Sequence, residues 1–335
     1  YSDSLTTVSN VYKNMRYSDC DESSFIDSVV KTLNIKSLKS EPDDTQLRQE
    51  NDYGLWINEN CYDAMPFSGL NTFKICKENL IKVNLDGQGA DEINAGYPRY
   101  WFNYFATKPF MSTSYIYSFI CSPIDIRHKI RALLRIGISS CPGEIINERF
   151  KLKIEDEYRM KRIVPDSYKG ITVNKALYNS ITFNLKVLLR NVDFYSMTNS
   201  IESRQPFMDY RLIAFLNACP SQYKMRNGWT KYLARIAFKD KLPDEIVWRK
   251  DKLGWPQPVR QWLNGEFGFK AATEIKESSF LSQLLNSKIS DEFISLLIKQ
   301  QRPFLRLYNL SRQYDIFFNN GYKKLSRDIL KQNKY

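Results

Sequence analysis

The most informative segment of the chain is Ile81–Tyr97, IKVNLDGQGADEINAGY. Its first five residues, IKVNL, are β-prone and follow a helical pattern over Leu70–Leu80, so they predict a strand after a helix. Two glycines one residue apart come next, and two acidic residues follow them. A glycine-rich bend directly after a strand is where open parallel sheets bind their ligands.

This bend has two interpretations. Gly87 and Gly89 let backbone N–H groups approach an anion such as a nucleotide phosphate, and Asp91 and Glu92 offer oxygen ligands for Mg²⁺. The alternative is an ordinary glycine turn in which Asp91 and Glu92 only favour the start of a helix. The bend alone does not choose between a nucleotide site and a turn.

The chain before this bend alternates between strand and helix patterns. Strand-like runs and apolar residues at helical spacing predict, in order, a strand at Leu5–Val11, a helix at Asp21–Leu33, a strand at Ser37–Pro42 and helices at Asp43–Asn58 and Leu70–Leu80. Alternation of this kind is typical of an α/β fold with a parallel sheet.

Strand patterns fade after Tyr97. The rest is helical by pattern, over Lys175–Arg190, Tyr210–Cys219, Thr230–Phe238, Phe293–Lys299 and a last amphipathic stretch with Leu307, Leu310, Tyr314 and Phe317. We therefore expect an α/β part over residues 1–105 and a mainly helical part over residues 106–335, packed as one body.

Composition excludes several classes of protein. The 335 residues are 43% hydrophobic with a formal charge of +12, which is typical of a folded chain and not of a disordered one. We find no uncharged apolar run near the roughly 20 residues of a membrane span and no blocks of basic charge, so we expect neither a membrane nor a nucleic-acid partner.

Cysteine and histidine usage is the next constraint. Six cysteines lack any C-x-x-C spacing, so we interpret them as reduced thiols of a cytoplasmic protein. The single histidine, His128, lies between two basic residues and is expected at the surface. Histidine-based triads and histidine-rich zinc sites are excluded.

A second informative stretch is DFYSMTNSIESRQPFMDYRL, residues 193–212. Charged residues stand among apolar ones here, which predicts pairs held inside the protein, such as Glu202 with Arg204 or Arg211. Such pairs can be purely structural.

A third stretch is NGWTKYLAR, residues 227–235, followed by LPDEIVWRKDKLGW at 242–255. Thr230 is a plausible N-cap, which would place Lys231 and Arg235 on one helix face. The alternative is an exposed basic face without a function.

These three stretches, in this order and with this spacing, resemble the synthetase domain of glutamine-dependent asparagine synthase over about residues 5–265. The resemblance implies an α/β fold of the ATP-pyrophosphatase (adenine nucleotide alpha-hydrolase-like) type, with a parallel sheet and a large helical remainder. It also implies a cytoplasmic ligase of asparagine biosynthesis. In that reaction the aspartate side chain attacks the α-phosphorus of ATP to give β-aspartyl-AMP, and ammonia from glutamine then displaces AMP.

The resemblance also implies site residues, with ATP and Mg²⁺ as cofactors. Lys231 matches the cation at the α-phosphate, and Gln88 matches a position tied to formation or use of the acyl-adenylate. Asp91 matches the ligand of Mg²⁺ and pyrophosphate. Two nucleotide contacts through the main chain are implied at Asp86 and Gly87, and a third, to adenine, at Val8.

Three positions depart from the family pattern. Gln88 stands where some members have Glu, Phe194 where an Arg is common, and Met65 where an acidic residue is common. An amide cannot take a proton as a carboxylate can. These differences leave open an amidotransferase that acts on a sugar acid or peptide carboxylate, or a binding protein that has lost catalysis.

Two parts of the family pattern do not occur in this sequence. One is the pyrophosphate loop Ser-Gly-Gly-Leu-Asp-Ser, and the other is the glutaminase domain with its N-terminal cysteine, which relatives normally carry in the same chain. The sequence starts at Tyr1 without methionine. We therefore expect a chain truncated at its N-terminus that is inactive alone.

Overall fold

A computed structural model describes most of the chain. The described residues are 5–41, 44–61, 65–107, 113–133, 172–251, 257–319 and 321–323. Part of the third motif, residues 252–256, and one of the six cysteines, Cys141, lie outside them.

Within the described residues, four strands form two small parallel sheets. Strand β1 (Thr6–Asn10) pairs with β2 (Lys36–Ser40), in the register Val8 opposite Leu38. Strand β3 (Val83–Leu85) pairs with β4 (Glu202–Arg204), in the register Asn84 opposite Ser203. Parallel pairing of β1 with β2 requires a crossover, and helix α1 (Ser23–Leu33) supplies it.

Helices make up most of the rest. After α1 the α-helices in chain order are α2 (Leu47–Asn58), α3 (Phe67–Glu78), α4 (Ala90–Ile93), α5 (Tyr100–Thr107), α6 (Thr113–Cys121), α7 (Ile126–Leu133), α8 (Val173–Asn179), α9 (Leu185–Thr198), α10 (Tyr210–Ala218), α11 (Ser221–Lys224), α12 (Tyr232–Phe238), α13 (Asp244–Val247), α14 (Val259–Leu263), α15 (Glu266–Glu277), α16 (Ser279–Leu284), α17 (Asp291–Gln300) and α18 (Arg302–Phe318). Short 3₁₀ helices lie at Met15–Cys20, Asp44–Gln46 and Pro206–Met208.

The predicted α/β character is confirmed. The strands expected at Leu5–Val11, Ser37–Pro42 and Ile81–Leu85 are present as β1, β2 and β3, and the helices expected between them are present as α1 to α3. Strand β4 was not predicted, because its sequence, Glu-Ser-Arg, has no β-prone residue. Strand β4 lies after residue 105 in the sequence and pairs with β3, which lies before it. The division of the chain into two parts at residue 105 stays a prediction.

The helix predicted over Lys175–Arg190 belongs to a longer helical run. Helices α8 and α9 are continuous through one π-helical segment, Ser180–Asn184. That segment packs next to α4, and Arg99 reaches it through a hydrogen bond from Nη2 to Ser180 Oγ of 3.2 Å.

The residues beyond 265, whose role the sequence left open, contribute most of one apolar core, the C-terminal core. Side chains of α14 to α18 pack there with four residues from the N-terminal part, Tyr12, Tyr17, Leu47 and Met65. Tyr12 is only 3% exposed, and its hydroxyl lies 2.6 Å from Ser68 Oγ. The C-terminal helices therefore support the segment that follows β1.

The expectation of reduced cysteines agrees with the described residues. Cys20, Cys61, Cys76, Cys121 and Cys219 are all free thiols.

The expectation that His128 is at the surface falls outside the described side chains, although the backbone of His128 belongs to α7. Among the helices that the structure describes, we find none with the length and apolar character needed to cross a bilayer.

Candidate active site

One cavity of about 790 Å³ lies between the ends of β1 and β3. This volume is in the range of small-molecule sites. Three separate stretches of the chain, together with α1, α3 and α9, contribute to its wall. The lining residues are Val8, Ser9, Asn10, Tyr12, Cys20, Glu22, Ile26, Thr72, Asn84, Leu85, Asp86, Gly87, Gln88, Ala90, Asp91, Tyr97, Leu188 and Lys231.

The six residues to which the family resemblance assigned a role all line this cavity. Val8 comes from β1, Asp86, Gly87 and Gln88 come from the bend after β3, Asp91 comes from α4, and Lys231 precedes α12. The structure thus brings together residues that are up to 223 positions apart in the sequence. Their roles toward a ligand stay predictions.

The bend after β3 is held by a backbone hydrogen bond to β4 and by the Asp86 side chain. The Asp86 N–H donates to the Arg204 carbonyl at 2.8 Å, which continues the β3–β4 pairing by one residue. An Asp86 carboxylate oxygen accepts from the Gln88 N–H at 2.9 Å. Burial raises the pKa of the Asp86 carboxyl, although the Gln88 hydrogen bond acts in the opposite direction. Asp86 therefore shapes the turn with its side chain.

The two glycines of the bend have different environments. Gly89 has a φ of 89°, and a Cβ there would lie 2.0 Å from Met208 Cε, in the second motif. At Gly87 a Cβ would meet nothing within 4 Å. The first glycine is therefore open toward the cavity, and the second is needed for the conformation of the bend.

This contrast predicts opposite results for two alanine variants. Gly89→Ala should lower the free energy of unfolding by about 1–2 kcal/mol, because an L-residue is strained in the left-handed region. Gly87→Ala should leave the free energy of unfolding nearly unchanged but weaken nucleotide binding, because its methyl group would face the ligand. Chemical denaturation and nucleotide titration of both variants measure this. Equal stability losses would contradict it.

Asp91 and Lys231 form an ion pair at the cavity wall. Lys231 Nζ lies 2.7 Å from Asp91 Oδ1, and the side chains are 30% and 16% exposed. The backbones are joined too, since the Lys231 N–H donates to the Asn94 carbonyl at 3.2 Å. The first and third motifs are therefore linked at the position where chemistry is expected.

The prediction that Thr230 caps a helix is wrong. Helix α12 begins at Tyr232, and its N-cap position is taken by Lys231 in a left-handed conformation, with φ of 54°. Such a conformation is strained for lysine and persists only where the surroundings enforce it. Lys231 accordingly sits before the helix, and Arg235 is directed elsewhere: its Nε donates to the Thr230 carbonyl at 2.7 Å.

The charged pairs of the second motif are at the surface. Arg204 Nε lies 2.8 Å from Glu202 Oε1, with side chains 61% and 59% exposed, and Arg211 pairs with Asp209. The predicted pair of Glu202 with Arg204 is present, but the prediction that it lies inside the protein is wrong. Successive side chains of a strand point to opposite faces, so Glu202 and Arg204 lie on one face of β4 and Ser203 on the other. Glu202 and Arg204 face solvent, and Ser203 is partly buried.

A third acidic residue of the cavity, besides Asp86 and Asp91, was missed by the sequence analysis. Glu22 precedes α1 and lines the cavity, and Arg249 Nη1 lies 2.7 Å from its Oε1. The same guanidinium lies 4.1 Å from the centre of the Phe25 ring and pairs with Asp251. Arg249 belongs to the third motif, but its partner is over 200 positions away, so no local spacing reveals the pair.

Tyr97 is another lining residue that sequence reasoning did not single out. Its hydroxyl donates to Glu92 Oε1 at 2.7 Å, and Glu92 is only 2% exposed. Burial, reinforced by the Glu92 hydrogen bond, raises the pKa of the Tyr97 phenol well above its usual value. Glu92 thus serves the packing of α4 and Tyr97, whereas Asp91 faces the cavity.

The two remaining departures from the family pattern lie away from this cavity. Met65 is 4% exposed and packs in the C-terminal core, and Phe194 lies under the Arg190 guanidinium at 5.1 Å. Neither lines the cavity as described.

The donor set limits what metal the cavity can hold. The described residues contain no group of three or more His, Cys, Asp and Glu side chains that could hold an ion alone. Mg²⁺ bound together with a nucleotide commonly uses only one or two carboxylates, because phosphate and water oxygens complete its coordination. Asp91, with a carboxylate at the cavity wall, fits such a site.

This chain is similar in sequence to several known proteins. Asparagine synthetase (glutamine-hydrolyzing) 1 of Bacillus subtilis (strain 168) is 29% identical over 244 residues, which cover 63% of this chain and 38% of that protein. A putative asparagine synthetase (glutamine-hydrolyzing) of Mycobacterium tuberculosis (strain ATCC 25618 / H37Rv) is 24% identical over 211 residues, covering 55% and 31%. Amidase chry2 of Gibberella zeae is 31% identical over 135 residues, covering 38% and 19%.

The matched regions are short relative to these relatives, spanning less than two fifths of the length of each. The family model described as asparagine synthase, in contrast, matches residues 1–311, nearly the whole of this chain. That match includes every residue that lines the cavity. The chain therefore belongs to the asparagine synthase family.

Proposed function

We propose that this chain carries the synthetase centre of an ATP-dependent amide-forming ligase, in which aspartate becomes asparagine through β-aspartyl-AMP and ammonia comes from glutamine. The observation that carries the proposal is the convergence of Val8, Asp86, Gly87, Asp91 and Lys231 on one cavity. The asparagine synthetase relatives support the reaction class. Under this proposal the protein works with ATP and Mg²⁺ in the cytoplasm.

The position of the cavity supports an ATP-pyrophosphatase type of fold. The cavity lies at the carboxyl ends of β1 and β3, each of which belongs to a parallel pair. Ligands of open α/β sheets bind at that edge. Adenine would contact the main chain near Val8, and the sugar and phosphates would extend toward Asp86, Gly87 and the Asp91–Lys231 pair.

Lys231 is the group we assign to transition-state stabilisation. Attack of a carboxylate on the α-phosphorus gathers negative charge on the phosphoryl oxygens, and a fixed cation there lowers the barrier. Its ammonium is already held at the cavity wall, 2.7 Å from Asp91 Oδ1, so little reorganisation is needed.

Gln88 would act as a hydrogen-bonding residue beside the acyl-adenylate. Its side chain belongs to the same bend, and its N–H is occupied by Asp86. An amide can orient a carbonyl or an incoming ammonia molecule but cannot accept a proton as a base. Ammonia must therefore lose its proton to another acceptor during amide formation.

Asp91 would hold Mg²⁺ against the pyrophosphate, where the ion neutralises phosphate charge. Asp91→Asn should raise the Mg²⁺ concentration that gives half-maximal ATP–pyrophosphate exchange, because a neutral amide is a weaker ligand. Glu22→Gln is the matched control, since Glu22 lines the same cavity but is paired with Arg249. If both variants, or neither, change the Mg²⁺ requirement, Asp91 is not the metal ligand.

The experiment that tests the function is ATP–pyrophosphate exchange by the protein in its full natural length. We expect exchange that depends on aspartate and is not supported by other carboxylic acids. Exchange with a different acid only would replace aspartate as the substrate but keep the adenylation mechanism. No exchange with any acid would favour a binding protein that has lost catalysis.

A related amidotransferase that acts on another carboxylate is the second candidate. The similarity to amidase chry2 over part of this chain favours it. A panel of sugar acids and peptide carboxylates in the same exchange assay distinguishes the two.

A further inference from the structure

A single glycine lies directly behind the Asp91–Lys231 pair. Helix α4 ends at Ile93, and Ala95 then adopts a left-handed conformation with φ of 56°. The turn brings Gly96 back toward the start of the helix, where its N–H donates to the Asp91 carbonyl at 2.8 Å.

The space at Gly96 is taken by the two charged side chains. A Cβ on this residue would lie 1.8 Å from Asp91 Oδ1, 2.7 Å from Asp91 Cγ and 2.5 Å from Lys231 Cε. Both side chains therefore pass over the glycine in van der Waals contact. The ion pair holds both groups over the glycine, so a methyl group at residue 96 would fit only if the Asp91 carboxylate and the Lys231 chain moved apart.

The backbone of Gly96 does not itself demand glycine. Within the described residues, the glycines with positive φ are Gly89 and Gly228. An alanine could therefore adopt the conformation of residue 96, and the obstacle to it is the approach of Asp91 and Lys231.

We propose that Gly96 is a positioning residue, whose missing side chain lets the Asp91 carboxylate and the Lys231 ammonium meet at the cavity wall. The effect of the Asp91–Lys231 pair on adenylation rests on the proposed function. The contact of the two side chains with Gly96 does not depend on that function. A methyl group at residue 96 separates the two groups without changing any charge. Adenylation then suffers although both charged residues are still present.

The first test measures the chemical reactivity of Lys231 in the ligand-free protein. Acetic anhydride at low concentration, with mass spectrometry, gives the labelling of Lys231 relative to the exposed Lys186. Gly96→Ala should increase this ratio severalfold, because the amine loses its carboxylate partner. Asp91→Asn should increase it likewise and serves as the positive control.

Gly268→Ala is the control for a purely structural effect. Gly268 lies in α15, which does not line the cavity. A Cβ on Gly268 would lie 1.8 Å from the carbonyl oxygen of Leu263, the last residue of α14. This variant should lower the melting temperature but leave the labelling ratio of Lys231 unchanged. A severalfold rise in this control as well would overturn the proposal, because any loss of stability would then expose the amine.

A double variant keeps the proposal testable if Gly96→Ala folds poorly. Asp91→Ala removes the oxygen that would clash with the new methyl group. The variant D91A/G96A should therefore melt at a higher temperature than additivity of the two single changes predicts. Additive shifts in melting temperature, or an unchanged labelling ratio in Gly96→Ala, would show that Gly96 does not position the pair.

Neither measurement needs a nucleotide. A protein in which Gly96 behaves as proposed but which shows no ATP–pyrophosphate exchange would contradict the proposed function alone. Normal exchange with an unchanged Lys231 labelling ratio in Gly96→Ala would contradict the positioning role alone.

Discussion

Lys231→Ala is expected to slow ATP–pyrophosphate exchange by at least about 10²-fold, equivalent to roughly 3 kcal/mol of barrier height. The substitution removes the ammonium that would compensate charge on the α-phosphoryl group. It should affect the maximal rate more than the KM for aspartate, because the compensated charge develops in the transition state.

Lys250→Ala is the matched control for this prediction. Lys250 belongs to the same motif, but its ammonium lies 4.6 Å from the centre of the Trp229 ring and does not line the cavity. We expect its exchange rate to equal that of the unchanged protein. Near-full activity of Lys231→Ala, or an equal loss in both variants, would rule out the assigned role.

Arg312→Ala is expected to lower the free energy of unfolding by about 3–5 kcal/mol, because it leaves the largely buried Asp52 carboxylate without its partner. Arg312 contacts Asp52 through two hydrogen bonds, Nε to Oδ1 at 3.0 Å and Nη2 to Oδ2 at 2.8 Å. The two side chains are only 14% and 13% exposed. Its Nη1 also lies 2.9 Å from Asp315 and 3.7 Å from Glu274.

This ion-pair network joins α2, α15 and α18, so its loss weakens the C-terminal core that supports Tyr12. Urea denaturation gives the free energy of unfolding. Lys270→Ala is the control, because its pair with Glu266 is solvent-exposed, and we expect no measurable change from it. A loss in Arg312→Ala no greater than in this control would contradict the structural role of the network.

The sequence predicted those parts of the fold that local patterns determine. Alternating apolar runs placed β1, β2 and β3, and the glycines and acidic residues after β3 placed the bend of the site. Strand β4 could not be predicted in this way, because Glu-Ser-Arg forms a strand only through its long-range pairing with β3. Tertiary pairing overrode the local preference there.

The site was predictable in part for the same reason. The sequence motifs identified Asp91 and Lys231 as site residues. They did not indicate that Lys231 takes a left-handed conformation before α12. A helix start with threonine at the N-cap is the local expectation. The hydrogen bond to the Asn94 carbonyl and the pair with Asp91 come from a distant segment and displace that start.

The contribution of Glu22 and Arg249 was also outside the reach of local patterns. An ion pair between residues so far apart appears only once the chain is folded. The same holds for Gly96, which looks like an ordinary turn glycine until the two side chains that pass over it are in place.

We infer that the bend at 86–91 and Lys231 enclose one nucleotide site. An acyl-phosphate derivative of ATP, which acylates lysines beside bound phosphates, tests this inference when the labelled lysine is identified by mass spectrometry. We expect an adduct on Lys231 that disappears when free ATP and Mg²⁺ compete. Adducts confined to other lysines, or an adduct on Lys231 that ATP does not suppress, would contradict it.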